Sequence, residues 1–218
     1  MGTAVQNRSH AVMAQRSEPA DSPDDFPTPP WATRALIEHV LGNKKTISTL
    51  TCLEPACGAG HMASVLENYF RHVEASDAHH YGFGAKRDFL THPYEAASVD
   101  WVITNPPFRL AEEFIQKALG VARVGVAILA RTVFLESIGR YESIFLERPP
   151  TKFAQFSERV PMVKGRLDGK ASTATGYAWF VWENTACQIP RLMWVPPCRK
   201  SLEWPDDYSV MPRARQTF

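Results

Sequence analysis

Long apolar runs are missing. No stretch of the chain approaches the roughly 20 consecutive apolar residues of a bilayer-spanning helix, so no membrane partner is expected. Charge of one sign is missing too: Lys and Arg total 24 and Asp and Glu 23, for a net +1. Stand-alone DNA binders are strongly basic, because they neutralise phosphates. Cysteine is scarce, and Cys52, Cys57, Cys187 and Cys198 show no close paired spacing. Reduced thiols in a cytoplasmic protein are the expectation. The first residues hold no apolar run, which argues against a cleaved secretory signal. Gln6 stands where a myristoylation signal needs Ser or Thr. There is no internal repeat.

What is present is an ordinary globular composition: 218 residues, 44% hydrophobic and 22% charged. That suits one domain with appendages. Residues 1–25 are polar and aperiodic and read as a loosely ordered tail. Residues 26–190 read as the domain, and the proline-rich run 191–218 as an irregular extension. The charge is uneven. Residues 1–150 hold 14 Lys+Arg against 17 Asp+Glu, and residues 151–218 hold 10 against 6, so a basic excess sits in the last third.

Hydrophobic periodicity predicts a helix over Thr33–Leu41 stopped by Gly42, and another after Gly60 through Phe70. A third is predicted over Ala111–Leu119. Short apolar strands are predicted at Thr49–Leu53, His72–Ser76, Trp101–Thr104, Val124–Ala130, Phe153–Phe156 and Tyr177–Trp182. Strands alternating with helices predict a three-layer α/β fold with a mostly parallel sheet. The chemically suggestive residues fall just after strand ends, where such sheets bind ligands.

Four motifs stand there. In Leu53-Glu54-Pro55-Ala56-Cys57-Gly58-Ala59-Gly60, two glycines let backbone approach a ligand at a helix start, and Glu54 can accept from an ammonium or hydroxyl. Asp77 ends the second strand, where an acid holds ribose hydroxyls. In Lys86-Arg87-Asp88-Phe89, Asp88 can accept from an adenine amino group, with Phe89 beside the ring. In Asn105-Pro106-Pro107-Phe108, the Asn105 side-chain oxygen and the Pro106 carbonyl can accept two N–H bonds. The prolines stiffen the turn, and Phe108 offers a stacking face. Two acceptors aimed at a planar NH2 localise its delocalised lone pair for attack, without a strong base.

The ordered set resembles the S-adenosylmethionine-dependent amino-methyltransferases, especially DNA adenine-N6 methyltransferases of phage and bacterial type. The resemblance covers roughly residues 26–110 and implies a Rossmann-like class I methyltransferase fold with an antiparallel C-terminal strand. In Phe26-Pro27-Thr28-Pro29-Pro30 it implies a loop over the cofactor's methionine end, with Phe26, Thr28 and Pro29 as contacts. It implies cofactor binding by Glu54, Ala56, Gly58, Gly60, Asp77, Asp88 and Phe89. It implies catalysis at Asn105, Pro106, Pro107 and Phe108 on a base flipped out of DNA. Glu54 stands where many members have Asp. Residues 174–182 resemble the last strand of phage-borne members.

With 110 residues after Phe108, most of them needed to complete the sheet, no separate recognition domain is expected within this sequence. Residues 159–170, with four basic residues against one acid, lie between strands. There Lys164, Arg166 and Lys170 could reach phosphates, and Arg131 at a strand end could face the substrate. A homodimer or an accessory recognition subunit would supply what is missing. RNA adenine, cytosine N4 and protein glutamine remain alternative acceptors, and a silent binding subunit an alternative role. His72, His79, His80 and His92 lack metal-ligand spacing, so no metal is expected. Cys57, Trp179 and Trp182 read as packing residues.

Overall fold

A computed structural model of the chain describes residues 24–184 and 189–208. Residues 1–23 of the expected tail, Cys187 and the last ten residues lie outside them. Six strands match the expected positions to within a few residues. They are β1 (Thr51–Glu54), β2 (His72–Asp77), β4 (Val99–Thr104), β5 (Ala122–Arg131), β6 (Lys152–Phe156) and β7 (Tyr177–Glu183). Two more, β3 (Ala85–Lys86) and β8 (Arg191–Val195), join one eight-stranded sheet in the order β3-β2-β1-β4-β5-β7-β6-β8. β7 runs antiparallel to both β5 and β6, and every other pairing is parallel.

The apolar strand sequences explain the layering. Side chains alternate faces along a strand, and a sheet covered on both sides has apolar residues at every position. Cys52, Trp101, Ile103, Leu129 and Trp179 enter one core with Trp31, Leu36 and Leu66. Their neighbours Leu53, Val102, Ile128 and Phe180 enter the other with Phe114 and Ile115. The helices Pro30–Ala35 and His61–Leu66 therefore cover one face, and Ala111–Val121 covers the other.

The structure differs from the sequence expectation in four places. The first helix starts at Pro30, whose fixed φ suits a first helical position, and becomes a π-helix over Leu36–Leu41. Gly42, at φ 61°, does end it. The helix after Gly60 stops at Leu66. β3 is two exposed residues, too short to carry a period. The expected irregular run from residue 191 contains β8, paired to β6 from Lys152↔Arg191 to Phe156↔Val195. Its flanking prolines mislead because it is an edge strand, where missing donors are tolerated.

The segment after β8 docks on the first helix through Arg34. Its guanidinium meets both Asp207 oxygens, at 2.7 and 2.8 Å, and donates to the Leu202 carbonyl at 2.7 Å. It also lies 3.6 Å above the Trp204 ring. Among the described residues no helix is long and apolar enough to cross a membrane.

Candidate active site

The carboxyl ends of β1, β2 and β4 open on one cavity of about 360 Å³. The loop after β1 contributes Glu54, Ala56, Cys57, Gly58 and Ala59. Asp77, His79 and Tyr81 follow β2, and Asn105, Pro107 and Arg109 follow β4. The segment Asp24–Thr28 and Lys164 complete the lining.

The glycine loop is held by backbone bonds. The Cys57 amide donates to the Ser76 carbonyl at 3.0 Å, and the Gly60 amide to the Cys57 carbonyl at 2.7 Å. Gly60 has φ 86°, and a Cβ there would run into the Phe83 ring, so both conformation and space demand glycine. The Gly58 amide donates to Asp77 Oδ2 at 2.9 Å, while Asp77 Oδ1 accepts from the His79 amide at 2.8 Å. The carboxylate is thus pinned at the cavity wall with lone pairs to spare.

The cavity is acidic. Asp24, Asp25, Glu54 and Asp77 all line it. Glu54 is 2% exposed, and its Oε2 is buried with no partner. Burial first, then the Asp77 charge, hold its carboxyl well above the usual range. Burial and Asp77 raise Asp25 in the same way. Burial, with Asp25 and Asp77 behind it, pushes the Tyr81 hydroxyl up to about 12. Burial also raises the Cys57 thiol, with Glu54 and Asp77 adding to it, so the thiol stays neutral and is no nucleophile. Burial lowers His61, which lines the same cavity. One buried and three half-buried carboxylates with unspent acceptors suit a cationic ligand with hydroxyls.

Asn105 is oriented by the segment that follows Asp25. Its Nδ2 donates to the Phe26 carbonyl at 2.9 Å and to Thr28 Oγ1 at 3.1 Å. With the amide nitrogen committed, Oδ1 is buried and unpartnered. A buried acceptor left unmade costs about 1–3 kcal/mol, a cost that a ligand N–H would remove. Pro106 is buried, and Pro107 lines the cavity. The Phe108 amide donates to Asp24 Oδ2 at 2.7 Å. The Phe108 ring lies 5.1 Å from that of Phe26 and 6.3 Å from that of Tyr177.

Several expected site residues lie elsewhere. Asp88 is exposed, accepts from the Leu90 amide through Oδ1 at 2.9 Å, and does not line the cavity. Phe89 is 1% exposed and packs on Phe114 in the core, so it offers no face to a ligand. Pro29 accepts from the Ala32 amide and starts the first helix, outside the lining. Arg166 pairs with Asp168 at the surface, and Lys170 is exposed. Of that basic loop only Lys164 lines the cavity, and the Gly165 amide donates to the Asp25 carbonyl at 2.9 Å. Asp24 and Asp25, read as tail, are cavity residues, as are His61, Tyr81 and Arg109. The acids directly before Phe26-Pro27-Thr28 were the available signal for the first pair. His61, Tyr81 and Arg109 carried none. Among the described residues no group of three or more His, Cys, Asp or Glu is placed to hold a metal ion.

No family model and no curated protein matches the chain. Solved structures resemble it. A candidate class I S-adenosylmethionine-dependent methyltransferase from Listeria monocytogenes superposes with a TM-score of 0.54 at 12% identity, over 76% of this chain and 64% of that one. The modification subunit of a candidate type I restriction enzyme from Vibrio vulnificus gives 0.52 at 14%, over 75% and 45%. A candidate RNA methyltransferase from Pyrococcus horikoshii gives 0.54 at 14%, over 73% and 87%. The chain therefore spans less than two thirds of the length of the first two. At such identities the likeness shows the fold, which is the Rossmann-like class I methyltransferase fold.

Proposed function

We propose that the chain is an S-adenosylmethionine-dependent methyltransferase acting on the N6 amino group of adenine in DNA. The observation that carries the reading is Asn105: an amide with its nitrogen committed to Phe26 and Thr28 and its oxygen buried, unpartnered and beside the cavity. An acceptor so fixed suits the hydrogen of a planar amine. The fold, and the order of the glycine loop, Asp77 and Asn105-Pro106-Pro107-Phe108, support the same reading.

The residues present fit the cofactor. S-adenosylmethionine supplies, when bound, an electrophilic methyl group on a sulfonium. Glu54, Asp25 and Asp77 would hold its cationic and hydroxyl groups, and Gly58 lines the cavity without a side chain, so backbone can approach closely there, while Gly60 is glycine to pass the Phe83 ring. On the acceptor side, Asn105 Oδ1 and the Pro106 carbonyl would take the two amine hydrogens. That draws the nitrogen lone pair out of conjugation as attack begins. Phe108 would present a stacking face, and Lys164 and Arg131 positive charge, toward an anionic backbone. The amine proton then leaves to solvent; no buried base is required.

The small charge balance supports a recognition partner, either an accessory subunit or a second copy of the chain. The test is incubation with methyl-labelled cofactor and separate DNA, RNA and protein acceptors, followed by identification of the product. N6-methyladenine in DNA is expected. Label in RNA, in cytosine N4 or in glutamine redirects the acceptor. Cofactor binding without transfer to any acceptor overturns the catalytic reading.

A further inference from the structure

The ring of Phe108 is already covered. The Arg131 guanidinium carbon lies 4.0 Å from its centroid, over the ring face. That is one van der Waals contact of about 3.5–4.0 Å, so no second planar group fits between them. Phe26 closes in at 5.1 Å. A planar acceptor can reach the Phe108 face only if one of these side chains leaves.

The two covers are held very differently. The Phe26 segment is fixed at three points: Asp24 Oδ2 to the Phe108 amide, the Phe26 carbonyl to Asn105, and the Asp25 carbonyl to the Gly165 amide. Moving the Phe26 main chain would dismantle Asn105. Arg131 has a rigid base, since it ends β5 opposite Tyr177 and its successor Thr132 donates to the Gly176 carbonyl at 3.0 Å. Its side chain, however, is held by ring faces and the Tyr177 hydroxyl. Its Nε is buried with no partner. An arginine donor left unpaired in a buried place is poorly satisfied where it sits.

We propose that Arg131 is a displaceable plug of the acceptor subsite. In the free protein its guanidinium occupies the stacking place on Phe108. An incoming adenine takes that place, and the released guanidinium pairs with the phosphate beside the flipped nucleotide. The residue thereby selects for a planar ring that arrives attached to an anionic backbone. This rests on the nucleic-acid reading above.

The test follows the Arg131 Nε–H resonance in 15N-arginine-labelled protein, assigned with Arg131→Lys. Ring current from Phe108 displaces it upfield, and Phe108→Leu removes the displacement. A short single strand containing adenine should abolish the displacement in the wild type, and an abasic strand of the same length should leave it. Arg131→Ala should raise KM for the adenine strand about tenfold and lower the salt slope by about one. Methylation of free adenosine, which brings no phosphate for Arg131 to pair with, should become faster, because nothing then has to leave the Phe108 face. The inference alone is overturned if the adenine strand binds with the Arg131 resonance unmoved, or if the abasic strand shifts it equally. It is overturned as well if the variant loses activity equally on strand and nucleoside. If no strand perturbs any resonance, the nucleic-acid reading falls and the plug with it.

Discussion

Asn105 and Phe26 lie 79 residues apart in sequence, and the Asn105 side-chain amide donates to the Phe26 main-chain carbonyl at 2.9 Å. The Asp24–Thr28 segment that lines the cavity therefore also orients the residue proposed to do the chemistry. Asn105→Ala should lower kcat by about 10²–10³, the size of losing one preorganised electrostatic group. Cofactor affinity should stay within about threefold. Thr28→Val, which removes only the second acceptor at 3.1 Å, should lower kcat by a smaller factor with KM little changed. Steady-state kinetics with calorimetric titration of the cofactor check both.

Asp77 should separate from Asn105 in the same assays. Its two oxygens hold the Gly58 and His79 amides, so Asp77→Ala loosens the loop and removes an acceptor for ligand hydroxyls. Cofactor Kd should rise by about tenfold or more, as a charge-assisted hydrogen bond is worth about 1.5–3 kcal/mol. Unchanged affinity by calorimetry contradicts the assignment.

Glu54 makes stability and binding pull apart. Its carboxyl sits well above the model-peptide 4.5 in the folded chain, because burial and Asp77 disfavour its charge. The folded state therefore binds this proton more tightly than the unfolded state. That stabilisation is complete below about pH 4.5 and fades as pH rises toward the folded value. Glu54→Gln should raise the Tm of the ligand-free protein at neutral pH, by about 2–4 °C per kcal/mol for a chain of this size. It should also flatten the pH dependence and weaken cofactor binding. Thermal melts across pH, with and without cofactor, check all three.

Arg34 and Asp207 form a bidentate pair with side chains 4% and 5% exposed. Arg34→Ala leaves a buried carboxylate unpaired and should cost about 3–5 kcal/mol. Replacing both by apolar residues of similar size should recover most of it. Denaturant unfolding of the single and double variants checks this.

The strands β1, β2, β4, β5, β6 and β7 were readable because a doubly covered sheet requires apolar runs bounded by turn residues, as in Trp101–Thr104 before Asn105-Pro106-Pro107. β3 and β8 were not. Ala85–Lys86 has no periodicity, and the apolar Leu192 and Trp194 of β8 point away from the core at 62% and 67% exposure. Within the site, Glu54, Gly58, Asp77 and Asn105 carry local signals, since each ends or follows a strand. Asp88 and Phe89 show the limit of such signals: a carboxylate and an aromatic in the right order went to a local turn and a hydrophobic core.

What the sequence determined by itself was the alternation of elements and the residues at the strand ends, because period and turn chemistry are local properties. Only the tertiary structure decided which of them meet. Asp24 and Asp25 come from a polar stretch with no pattern, yet they line the cavity because Asp24 bonds Phe108 and Asp25 bonds Gly165. Arg131 reaches the Phe108 ring because the β5–β7 register sets it opposite Tyr177. Such contacts depend on strand order and register, which long-range pairing sets and which no window of neighbouring residues contains.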